Sequence, residues 1–168
     1  LLGSYDVKTV LLLVLVAGIA GLARGFSGFG AALIFMPAAS ALVPPAVAAP
    51  VLLIADDVLA AGFLPGAWRR ANRRDVAIMA LGAAAGVPLG TLVLNQADPL
   101  TLRWIIAAMA TAMLLLLMSG WRYAATPRPA ATMGVGAISG LFGGLAQLSG
   151  PPVVAYWLTG RERPDLIR

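Results

Sequence analysis

The chain has 168 residues, of which 60% are apolar and only 11% charged, with a formal net charge of +5. Soluble domains run at roughly 25% charged and 45–50% apolar, and one this short leaves much of its surface exposed. The composition therefore excludes a soluble enzyme, a disordered chain and a nucleic-acid-binding module, and predicts an all-α, polytopic helical membrane protein whose outer surface meets lipid. Cysteine and histidine are both absent. That removes a disulfide framework, a Cys/His zinc site, a Cys nucleophile and a His-based triad or proton relay; no cofactor is expected.

A spanning helix needs about 20 apolar residues. The first apolar stretch, 9–43, is too long for one simple span and is interrupted by Arg24 and the glycine-rich "RGFSGFG" of 24–30. It is either one long tilted helix or two half-helices joined by an unwound glycine segment. Pro44 and Pro45 end it, because proline cannot continue a helix and restrains the residue before it. The second span, 46–66, carries Asp56 and Asp57 near its middle. The loop "AWRRANRRD" (67–75) follows, with four arginines and a tryptophan, as expected of a cytoplasmic interface.

Residues 76–94 form the third span, free of charge, and "NQADP" (95–99) a short polar turn. The fourth span covers 100–121, with Arg103 near its start, and "RYAATPRPA" (122–130) is the next loop. The fifth lies within 131–158, and "TGRERPDLIR" closes the chain. With the 67–75 loop in the cytoplasm, Lys8, Arg69, Arg70, Arg73, Arg74, Arg122 and Arg128 lie inside, and Arg103, Arg161, Arg163 and Arg168 outside. This bias agrees with the positive-inside rule. A re-entrant first segment would move the N-terminus to the other side. The chain begins at Leu1 rather than Met, and both of its ends are expected to be missing.

An internal repeat runs through the sequence. "IAGLARG" (19–25) and "ISGLFGG" (138–144) align at an offset of 119 residues, with Ile19/Ile138, Gly21/Gly140, Leu22/Leu141 and Gly25/Gly144 identical. Each copy leads into a second small-residue run and then proline. Four spans separate the copies, which predicts parallel repeats of four-helix units: 1–130 the first, 131–168 the start of a second.

Three groups of residues carry candidate chemistry. Arg24 lies beside the segment Gly25, Gly28 and Gly30. An intramembrane arginine is costly, so it either snorkels, pairs with an aspartate or attracts an anion. Glycines would let backbone amides turn towards that anion, and a half-helix N-terminus would add a partial positive charge. Gln147, Ser149 and Gly150, in "GLFGGLAQLSGPP" (140–152), place polar groups next to two prolines that cannot sit in a regular helix interior. Non-helical backbone at membrane depth occurs only where protein or a water-filled cavity covers it; tight packing through small residues is the competing explanation for the glycines. Asp56 and Asp57 diverge by about 100° on a helix, so one could meet Arg24 while the other lines a cavity and couples transport to protons. Alternatively the pair lies near the membrane surface.

The segments 21–40 ("GLARGFSGFGAALIFMPAAS"), "RRANRRD" and 138–158 ("ISGLFGGLAQLSGPPVVAYWL") together resemble the sulfite exporter TauE/SafE family. Two departures stand out: the glycine run at 28–32 is sparser than is usual in the family, and Gln147, Leu148 and Ser149 stand where glycines are expected. The resemblance implies an integral membrane protein of about eight spans in two related halves, of which five fall in this chain. It implies export of a small anion such as sulfite, sulfoacetate or a related organic anion. On this reading the protein is not an enzyme. It sits as a multi-pass protein in the cell inner membrane, with the lipid bilayer and a small anion as partners, no nucleic acid, and room for a homo-oligomer. Arg24, Gly25, Gly28, Gly30, Gln147, Ser149 and Gly150 would bind the anion, with Asp56 or Asp57 as coupling residue. The alternative is a non-transporting membrane scaffold or assembly factor, in which the small residues serve packing alone.

Overall fold

The computed structural model describes residues 6–28, 30–120 and 128–157. Among them the chain is all helix with no strand: α1 (Val7–Ser27), α2 (Ala31–Leu42), α3 (Pro45–Ala61), α4 (Leu64–Arg70), α5 (Arg73–Gln96), α6 (Pro99–Met118), α7 (Pro129–Ala146) and α8 (Gly150–Trp157). Arg122, Arg161, Arg163 and Arg168, and the predicted span ends at 121 and 158, lie outside the described residues. Four helices among the described residues, α1, α5, α6 and α7, are long and apolar enough to cross a membrane. Large side chains such as Leu11, Leu15, Leu22, Phe26 and Trp104 are exposed on their outer faces. A bilayer accepts such a surface, whereas water would not.

The long first stretch is two helices. Gly28 takes a left-handed φ of 76° and its N–H bonds the Arg24 carbonyl at 2.7 Å, which ends α1. Gly30, at φ 93°, starts α2. Both conformations strongly favour glycine. The break is narrower than expected, because Gly25 is still a regular helical residue of α1 and supplies no unwound backbone. At 12 residues α2 is about 18 Å long, too short for a hydrocarbon core of about 30 Å. It is buried instead, through Ala31, Ala32, Phe35, Met36, Ala39 and Ser40.

The second predicted span is also broken. It becomes the 17-residue α3, a turn at Gly62 and Phe63, and the short α4. The expected arginine loop is largely helical, since α4 runs to Arg70 and α5 begins at Arg73. Asn72 is the reason for the restart: its side chain accepts from the Arg74 N–H at 3.2 Å and donates to Asp75 at 2.8 Å, closing both ends of a helix cap. The Arg73 guanidinium lies 5.8 Å from the Trp68 ring centre, a cation–π contact between α4 and α5. The next turn shrinks to Ala97 and Asp98. There the Asp98 carboxylate accepts from the N–H groups of Leu100 (3.0 Å) and Thr101 (3.1 Å), with Pro99 at the first helical position.

The most extensive helix contact joins α5 to α7. Gly82, Gly86 and Gly90 of α5 face Gly136, Gly140 and Gly144 of α7, each at every fourth residue. A Cβ on Gly82, Gly86 or Gly90 would strike the carbonyl of Met133, Ala137 or Leu141 respectively. Because these contacts climb both helices together, α5 and α7 run parallel. Their backbones touch as in small-xxx-small packing, where dispersion and close approach drive association in lipid. A separate core, built on Met36, Ala39, Leu102, Ile106, Ala146 and Leu148, ties α2 and α6 to the α7–α8 corner.

Candidate functional site

The two predicted breaks meet. A cavity of about 190 Å³ is lined by Arg24 and Gly28 at the end of α1, Gly30, Ala31, Ala32 and Leu33 at the start of α2, and Asp56 of α3. Its far wall is Gln147, Leu148 and Ser149 of the α7–α8 corner, with Gly150 and Pro151 of α8. Seven of the nine residues singled out from the sequence therefore share one space: Arg24, Gly28, Gly30, Asp56, Gln147, Ser149 and Gly150. The cavity is smaller than the roughly 300–1,000 Å³ of sites for drug-sized molecules, so a ligand here is small.

The other two lie outside this cavity. Gly25 does not line this cavity: one residue beyond Arg24 on α1, it is rotated by about 100° and lines a neighbouring hollow of about 530 Å³ between α1 and the end of α3. Asp57 is exposed and is absent from the cavity wall, since the helical rotation that brings Asp56 to Arg24 turns its neighbour away.

Arg24 forms an ion pair with Asp56, linking α1 to α3. Neither side chain is sealed: 25% of Arg24 and 29% of Asp56 remain accessible. Arg24 and Gly28 line both the polar cavity and the larger hollow, so they stand on the boundary between the two.

Backbone donors come mainly from α2. Its first-turn N–H groups have no side-chain cap, and Ala31 and Ala32 lie in the cavity wall. The N-terminal donors of a helix lack intrahelical partners and carry a partial positive charge. The start of α8 is different, because Pro151 and Pro152 remove two of its donors. The positive pole of the cavity is thus Arg24 together with the α2 N-terminus. Gln147 and Ser149 supply neutral polar groups opposite.

The α7–α8 corner is held by residues that the sequence reading missed. Ser139, buried on α7, donates to the Ser149 carbonyl at 2.6 Å. Thr132 and Tyr156 share a buried hydrogen bond of 2.8 Å between α7 and α8. Their signal was a polar residue set at helical spacing among glycines and alanines. Gln147 takes a left-handed φ of 58°, rare for a residue with a side chain. Its N–H bonds the Gly143 carbonyl at 2.9 Å.

A wider groove of about 910 Å³ runs along the outer face of α1, between Val14, Leu15, Gly18, Ile19, Leu22 and Phe26. No polar side chain lines it, so it offers an ion nothing. Among the described residues no group of three or more acidic side chains could hold a metal ion.

A family model, described as sulfite exporter TauE/SafE, matches residues 13–163, a span that takes in every residue of the cavity. No curated protein and no solved structure matches the chain. An all-helical chain with four membrane-length apolar helices, two helix breaks converging on one small polar cavity and a family match over most of its length belongs to the sulfite exporter TauE/SafE family.

Proposed function

We propose that the protein exports a small anion, sulfite or a related sulfur-containing or organic anion, across the cell inner membrane by alternating access. The observation that carries this reading is the cavity itself. One cationic side chain and the start of α2, which has no side-chain cap, line a space too small for a large ligand. Helix N-termini bind anions through free N–H groups and the helix dipole, and transporters place such broken helices at their substrate sites. The position of Arg24 and Gly28 between the cavity and the larger hollow supports a route through the site.

Efflux of labelled sulfite from cells expressing the protein tests the proposal. Arg24→Gln at matched expression is expected to abolish the efflux. Efflux that persists without Arg24 rules out the cavity as the anion site. A protein that moves none of a panel of small anions, and tolerates Gln147→Ala and Ser149→Ala, is a scaffold rather than a transporter.

A further inference from the structure

Arg24 is already paired with Asp56 inside the cavity. A substrate anion entering the cavity meets a guanidinium neutralised by a carboxylate and a second negative charge beside its own. Two like charges brought close together in so small a space repel. Removing the Asp56 charge lifts this repulsion and frees the Arg24 guanidinium for the substrate.

We propose that Asp56 is a competitive internal ligand for Arg24, displaced by substrate when it takes up a proton, so that binding of one anion is linked to binding of one proton. This deepens the anion-export reading and rests on it. The balance is simple: a proton from water adds to an Asp56 carboxylate oxygen, the ion pair opens, and Arg24 turns its charge to the incoming anion. The net charge carried by the site is then unchanged by loading a monovalent anion with its proton. By linkage, whatever factor protonation adds to anion affinity, the anion adds to proton affinity.

The surroundings of Asp56 single it out for this role. Arg24 on α1 is the other charged residue lining the two cavities that Asp56 borders. α2 brings Ala31 and Phe35 to it, and the α7–α8 corner brings the neutral Gln147 and Ser149. The charged residues of α5 and α6, namely Arg73, Arg74, Asp75 and Arg103, line neither cavity, and the neighbouring Asp57 is exposed outside both.

Calorimetric titration of the full chain in lipid nanodiscs tests the proposal, using inorganic sulfate and sulfite as probes in two buffers of different ionisation enthalpy. Sulfate keeps its charge through the neutral range, so protons taken up with it enter the protein. Wild-type protein is expected to absorb close to one proton per sulfate bound. Asp56→Asn is expected to bind sulfate at least ~10-fold more tightly at neutral pH, within the range typical of coupled sites, with no proton uptake. Asp57→Asn should behave as wild type. Sulfate binding to the wild type without proton uptake overturns the proposal while leaving the anion site standing. So does an Asp56→Asn protein that still takes up the proton. Binding of neither anion to any of these proteins overturns the anion-export reading first, and this inference with it. The wild-type proton count decides the matter even where Asp56→Asn fails to fold.

Discussion

Gly28 and Gln147 occupy the same place in the two copies of the repeated sequence. They stand 119 residues apart, each ends its helix in the left-handed region, and each N–H bonds a carbonyl four residues back, Arg24 in one case and Gly143 in the other. The following helices, α2 and α8, start at the same offset, at Ala31 and Gly150. The corner is therefore repeated while its chemistry is not. The first copy places Arg24 where the second has Gly143, and the second places a glutamine side chain where the first has none.

Exchanging these corner residues should have opposite effects. Gly28→Ala forces a side chain into a left-handed conformation and should cost about 1–2 kcal/mol. Gln147→Gly removes such a strain and should leave stability equal or higher while weakening anion binding. Thermal unfolding in detergent alongside sulfate titration separates the two. A Gln147→Gly protein with unchanged affinity would remove the glutamine side chain from the site.

The α5–α7 contact predicts a sharp contrast between glycines. A Cβ on Gly86 would strike the Ala137 carbonyl, which is backbone and cannot rotate aside. Gly86→Ala should destabilise by about 1–3 kcal/mol, as overpacking does. On α7, a Cβ at Gly134 would meet nothing within 4 Å, so Gly134→Ala should stabilise by about 0.5–1 kcal/mol through helix propensity. The melting temperatures of the two variants should move in opposite directions.

Ser139 should matter to the site without touching its contents. Ser139→Ala leaves the Ser149 carbonyl without its 2.6 Å donor, a loss of about 0.5–1.5 kcal/mol for a part-buried hydrogen bond. We expect a lower melting temperature and a severalfold weaker sulfate affinity as the 147–149 corner loosens. A lower melting temperature at full affinity would confine Ser139 to stability.

The ion pair makes a prediction about paired substitutions. Arg24→Gln alone leaves Asp56 without its counter-charge, and breaking one side of a partly buried pair is more harmful than removing both. The double variant Arg24→Gln/Asp56→Asn should therefore melt at a higher temperature than Arg24→Gln, while both lose anion binding. Strictly additive effects would show that the two residues are not energetically coupled.

What the amino-acid sequence determined by itself was local or compositional. Too little charge to cover a soluble surface dictated a membrane protein. Glycines able to take positive φ and prolines lacking an N–H marked the breaks at 28–30 and 147–150. The repeat at an offset of 119 was visible because the same small residues recur where two corners need them. Other features depended on how helices face one another. Sequence spacing could say that Asp56 and Asp57 diverge, but only the placement of α3 relative to the end of α1 chose Asp56 for Arg24. Gly25 looked like loop and is helix, because backbone hydrogen bonds continue to Gly28 before the chain turns. The every-fourth-residue glycines of α5 and α7 were present in the sequence, yet nothing local says that one stripe will lie against the other. Convergence of the two corners on one cavity was likewise a tertiary outcome, since it requires α2, α3 and the α7–α8 corner to pack around the end of α1.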